Sequence, residues 1–118
     1  MAANPSPIAE LSLETIKSSE EILVRCTGKI ISGTTGVLQT AVRGLIPATK
    51  CVVLDLTGVS YMDSSGLGAI VGLYISAKRQ NCELKLINLN QRLQELFRIT
   101  KLARVFEGHE DYLGHTPD

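Results

Sequence analysis

The sequence predicts an α/β domain, with a mixed, mostly parallel sheet, helices packed against it and two leading strands at an antiparallel edge. Three observations carry that expectation. The hydrophobic period switches repeatedly between two and 3.6 along the chain, so strands alternate with helices, the pattern of parallel pairing through right-handed crossovers. The first two extended stretches are instead separated by only a short polar turn, which fits an antiparallel pair. Residues 51–56, Cys-Val-Val-Leu-Asp-Leu, are apolar apart from Asp55, as a central strand covered on both faces should be.

Taken in order, residues 1–9, rich in Ala, Pro and Ser, read as a flexible N-terminus, and residues 10–113 as the domain. Leu11 and Leu13 alternate with Ser12 and Glu14 in a first strand; after a polar turn at residues 18–20, Ile22, Val24 and Cys26 alternate with Leu23, Arg25 and Thr27 in a second, ending near Gly28. From Thr34 the period changes. Val37, Leu38, Ala41, Val42 and Leu45 share one stripe of a helix capped by Thr34 or Thr35 and stopped by Pro47. Gly36 and Gly44 each weaken it by about 1 kcal/mol relative to alanine, so packing must hold it.

Asp55 in the central strand needs hydrogen bonds, with the neighbouring loops as donors. Residues 60–72, S-Y-M-D-S-S-G-L-G-A-I-V-G, then form a tight polar turn and open a second helix, in which Leu67, Ile70, Val71 and Tyr74 recur at i, i+3, i+4 and i+7. That helix fades at Lys78, Arg79, Gln80 and Asn81. Residues 84–89 give another strand, and Asn88 or Asn90 caps a third helix carrying Leu93, Leu96 and Phe97 on one face. A short final strand at 103–106, a short fourth helix near 109–113 and a tail at 114–118 complete the chain.

The 118 residues suffice for one domain with a core of its own, without metals or disulfides. Twelve basic residues balance twelve acidic ones, so charge gives no reason to expect direct nucleic-acid binding. No apolar run is long enough to cross a bilayer, and residues 1–7 lack the pattern of a signal peptide; the expected compartment is the cytoplasm, with no membrane insertion. The three cysteines, Cys26, Cys51 and Cys82, form no C-x-x-C pair and read as reduced fillers rather than a disulfide or zinc framework.

Chemistry concentrates at the turn before the second helix. Asp63, Ser64 and Ser65 stand where the first helical N–H groups lack intrahelical partners and the dipole favours negative charge, so a hydroxyl there can cap the helix or hold a phosphate. Leu67 follows at a position that a first turn can expose. Two enzymatic readings of the same stretch are weaker. Gly66, Gly68 and Gly72 approximate a dinucleotide fingerprint, but Val71 occupies the place of the third glycine, and close helix packing at Gly68 and Gly72 explains the pattern better. A serine-hydrolase elbow would need glycine two residues before the nucleophile, where Met62 or Asp63 stands, and the only histidines, His109 and His115, lie in a polar tail. Glu107, His109, Glu110 and Asp111 lack metal-ligand spacing. No cofactor and no catalytic residue is expected, and the protein is read as a non-enzyme.

Residues 52–68, V-V-L-D-L-T-G-V-S-Y-M-D-S-S-G-L-G, closely resemble the anti-sigma factor antagonists, the bacterial branch of the STAS domain family, with D-S-S-G-L-G as the specific core. The runs L-I-N-L-N-Q-R-L-Q-E-L-F and I-T-K-L-A-R-V-F are similar to that family too. The resemblance implies a single STAS-type domain acting by partner switching. Its unphosphorylated form would bind an anti-sigma factor that is also a serine kinase, phosphorylation of Ser64 would release it, and a phosphatase of the PP2C type would restore it. On the same grounds Asp63, Ser65, Gly66 and Leu67 belong to the contact loop. Where the family often has an acidic loop after the second strand, this chain reads Gly28-Lys29-Ile30-Ile31, which places Lys29 at the contact surface as a counter-charge for a phosphate on Ser64. The alternatives are a non-phosphorylated STAS scaffold subunit of a transporter or signalling complex and, less favoured, a small nucleotide-binding enzyme. A weak homodimer is compatible with all of them.

Overall fold

A computed structural model of the chain describes residues 10–106. Its elements run β1 (Leu11–Lys17), β2 (Ile22–Ile30), α1 (Thr35–Leu45), β3 (Cys51–Met62), α2 (Ser64–Arg79), β4 (Glu83–Ile87) and α3 (Gln91–Ile99), with short 3₁₀ turns at Ile46–Ala48 and Leu102–Phe106. The strands form one sheet in the order β1-β2-β3-β4. β1 is antiparallel to β2, whereas β2 with β3 and β3 with β4 are parallel. This is the mixed α/β sheet with an antiparallel edge that the period changes predict.

Strand register aligns the core. Val24 lies beside Leu54, and Leu54 beside Leu86, so one row of apolar side chains crosses the three parallel strands. Leu38 and Val42 of α1, Ile70, Leu73 and Ala77 of α2, and Leu93 and Phe97 of α3 complete a single buried cluster with that row. Fully burying a side chain of this size contributes about 1.5–3 kcal/mol. β3 is buried at every residue from Val52 to Leu56, Asp55 included, as a central strand requires.

Four boundaries differ from the sequence reading. β3, expected over residues 51–56 with residues 60–62 in the polar turn, runs on to Met62 because β2 continues to pair with it there. Residues 103–106, expected as a strand, belong to the 3₁₀ turn Leu102–Phe106. The chain reverses at Lys101, whose φ is 66°, and this brings Phe106 edge-on to both Phe97 and Tyr74. Four residues of mixed polarity do not separate a short strand from a helical turn; the aromatic contact decides it. β2 runs on to Ile30, past Gly28, whose φ of 122° accompanies a ladder irregularity between Gly28 and Lys29. β4 stops at Ile87, because Asn88 turns with φ at 62°. The short helix near 109–113, the tail at 114–118 and the terminus at 1–9 lie outside the described residues.

β3 pairs with β4 only from Cys51 to Asp55 but continues along β2 to Met62. The far half of β3 therefore projects past β4 with β2 alone beside it in the sheet. At the end of that projection β3 hands over, through Asp63, to α2.

Candidate functional site

The handover is built on one carboxylate. Asp63 is extended (φ −103°, ψ −174°), which suits an N-cap, and its Oδ1 accepts the Gly66 N–H at 2.9 Å. The capping oxygen is thus that of Asp63, not a hydroxyl of Ser64 or Ser65. Both serines are exposed on the first turn of α2. Their side chains are left for another molecule to reach, at the positive end of the helix dipole.

Gly66 is buried, and the reason is a close approach. A Cβ at this position would stand 2.1 Å from the Ile30 carbonyl oxygen, so the start of α2 sits directly on the end of β2. The Asp63 N–H donates to the same carbonyl at 3.3 Å. Gly68 and Gly72 behave otherwise. Nothing lies within 4 Å of where their Cβ atoms would be, so the packing expected of them falls to Gly66 alone.

Leu67 corrects a second expectation. It is 5% exposed and belongs to the core. Because α2 begins at Ser64, Leu67 already lies on the inward stripe with Ile70, and the first turn does not display it. Lys29 is exposed, but it alternates with Ile30, which faces α2 at Gly66. Alternation along β2 therefore sends the Lys29 side chain to the other face of the sheet, away from Ser64. The structure groups Asp63, Ser64 and Ser65 on the rim, places Gly66 and Leu67 beneath it, and sets Lys29 apart.

A contact that the sequence did not signal joins the rim from the other side. Asp63 Oδ2 accepts the Ser32 N–H at 3.3 Å, tying the loop between β2 and α1 to the cap of α2. That loop is knit by Thr34, which is buried: its Oγ1 accepts the Ile31 N–H at 2.9 Å and lies 2.8 Å from the Lys29 carbonyl oxygen, to which it can donate. Thr34 is the N-cap residue of α1 by position, yet its hydroxyl serves the preceding loop and makes no cap hydrogen bond.

Deeper along β3, Asp55 collects hydrogen bonds from Thr57 of its own strand and from Asn88 in the loop after β4, so the neighbouring loops expected as donors supply only Asn88. Its Oδ1 accepts from the Thr57 hydroxyl at 2.6 Å, the Thr57 N–H at 3.0 Å and Asn88 Nδ2 at 3.0 Å, while Arg25 Nε stands 3.6 Å from Oδ2. Burial pushes this carboxyl up, but the hydrogen bonds from Thr57, Asn88 and Arg25 outweigh it and leave the pKa below the ordinary carboxylate value. Asn88 is thereby engaged, and Asn90 caps α3 by accepting the Leu93 N–H at 2.9 Å. Burial, and then Asp55, push the Cys26 thiol up to about 12, so it remains protonated core filling.

Among the described residues no group of three or more His, Cys, Asp or Glu is placed to hold a metal ion, and no helix is long and apolar enough to cross a membrane. His109, His115 and the acidic residues around them lie outside the described residues.

Comparison with known proteins gives a consistent answer. The profile of the family described as STAS domain matches residues 12–113. An anti-sigma-B factor antagonist from Bacillus subtilis is 34% identical over 97 residues, covering 82% of this chain and 89% of that protein. One from Listeria monocytogenes is 50% identical over 54 residues, 46% of this chain, and the match spans only 47% of the relative's length. Among solved structures, the anti-sigma factor antagonist SpoIIAA in its unphosphorylated form superimposes with a TM-score of 0.67 at 20% identity, covering 80% of this chain and 83% of that one. Its phosphorylated form superimposes with a TM-score of 0.63 at 20% identity, covering 80% and 86%.

Proposed function

The chain belongs to the STAS domain family, and from that premise we propose that it is an anti-sigma factor antagonist, a regulator rather than an enzyme, switched by phosphorylation of Ser64. Unphosphorylated, it binds an anti-sigma factor that is also a serine kinase; phosphorylated on Ser64, it is released, and a PP2C-type phosphatase resets it. The observation that carries this reading is the exposure of Ser64 at the start of α2, with its hydroxyl free of the capping duty that Asp63 performs.

The switch follows from charge. A phosphoryl group adds roughly 1.5 to 2 negative charges at pH 7. Inside the domain the helix N-terminus partly compensates them, so the fold persists. In an interface the same charges, beside Asp63, bring desolvation cost and like-charge repulsion. A loss of about 3 kcal/mol in binding exceeds a hundredfold in affinity, enough to exchange partners. The contact surface is formed by Asp63, Ser64 and Ser65, while Gly66 and Leu67 support it from below.

The test is to incubate the protein with candidate anti-sigma factor serine kinases from its own cell and ATP, then map the phosphate. Label on Ser64, absent from Ser64→Ala, is the expected result. Label elsewhere, or none with any candidate kinase, overturns the reading.

A further inference from the structure

We propose that Asp63 transmits the charge state of Ser64 to the loop between β2 and α1, so that a partner meets two surface elements that change together. The inference rests on the reading of Ser64 as the switch and adds to it a second, separate element. Three features of the structure lead there.

The first is that one carboxylate serves two amides on different elements. Oδ1 holds Gly66 N–H of α2 at 2.9 Å, and Oδ2 holds Ser32 N–H of the loop at 3.3 Å. The second is how the loop is fastened. Thr34 closes its base through Ile31 and Lys29, and the Thr34 and Thr35 N–H groups both donate to the Ile31 carbonyl, at 2.8 and 3.0 Å. Ser32 and Gly33 at the tip are exposed, and on the α1 side Ser32 is held through its carbonyl, which accepts from the Thr35 hydroxyl at 3.4 Å, leaving its N–H to face Asp63. Among the hydrogen bonds of the described residues, the one from Ser32 N–H to Asp63 is what joins this tip to α2. The third is adjacency: Ser64 follows Asp63 directly, so a charge on its hydroxyl is added next to the shared carboxylate.

The consequence is directional. A negative group on Ser64 repels the Asp63 carboxylate and competes for the amides of the first turn. The shorter bond to Gly66 keeps the helix capped, and the longer one to Ser32 gives way. The Ser32 amide is then released from α2 while the Thr34-closed base and the Thr35 hydroxyl contact to the Ser32 carbonyl stay in place. A partner that covers both Ser64 and the tip loses two contacts at once, which sharpens the switch beyond what charge on one side chain achieves. Asp63 acts here as a positioning residue, through the loop.

The test uses Ser64→Asp, which needs no kinase, so its outcome is separate from that of phosphosite mapping. Amide resonances and hydrogen exchange are followed at Ser32 and Gly33. Ser64→Asp is expected to shift both resonances and to speed exchange at Ser32 by about tenfold, with Val52 and Leu84 unmoved. In Asp63→Asn, which can cap with its carbonyl but turns an amide toward Ser32, exchange at Ser32 is already fast, and adding Ser64→Asp changes it no further. Asp63→Ser, which caps through one short hydroxyl, gives the same result by a second route. A Ser32 amide that ignores Ser64→Asp, or that responds equally without the Asp63 carboxylate, overturns the proposal.

Discussion

A single methyl group tests how tightly the rim is built. Gly66→Ala would place a Cβ 2.1 Å from the Ile30 carbonyl oxygen, a backbone atom that cannot rotate away. Overpacking of this kind costs about 1–3 kcal/mol, so urea unfolding of Gly66→Ala should show a loss in that range. Gly68→Ala, with nothing within 4 Å, should instead be neutral or slightly stabilising. The sequence pointed to the turn where β3 hands over to α2 and to two serines that the structure leaves exposed there, because an Asp followed by two hydroxyls at the mouth of an apolar stripe is legible from residue order alone. It misplaced Leu67, which the same stripe claims for the core. It could not show which glycine is the tight one, since G-L-G-A-I-V-G is ambiguous until the end of β2 is known to lie beneath it.

At the scale of elements, Asp55 holds β3, the loop after β4 and Arg25 of β2 together. Asp55→Ala leaves the Asn88 amide and the Thr57 hydroxyl without their acceptor, a loss of about 1–3 kcal/mol measurable in urea. The sign of its pH dependence follows from the lowered pKa. A carboxyl that ionises more readily folded than unfolded contributes above the unfolded value, about 3.9, and loses that contribution as pH falls through the folded value. The stability gap between wild type and Asp55→Ala should therefore be constant near neutrality and narrow below about pH 4. Phe97 anchors α3 against Phe106, and Phe97→Ala should cost about 3–5 kcal/mol. Strand and helix identities followed from period alone, including the need of Asp55 for donors. The 3₁₀ turn at Leu102–Phe106 did not, because a ring contact between distant residues fixes it.

At the scale of the molecule, the fold makes the switch local. The rim sits at the projecting end of β2 and β3, past the edge of β4, with the core row of Val24, Leu54 and Leu86 lying well back in the sheet. A charge at Ser64 should leave the core intact: Ser64→Asp is expected to change unfolding free energy by no more than about 1 kcal/mol, with an unaltered far-UV circular dichroism spectrum. The central claim is that this same charge governs association. The most direct measurement is calorimetric titration of the anti-sigma kinase with the protein before and after phosphorylation, the phosphate having been mapped by mass spectrometry. The account predicts phosphate on Ser64 and affinity reduced by more than about a hundredfold; equal affinity of the two forms would contradict it.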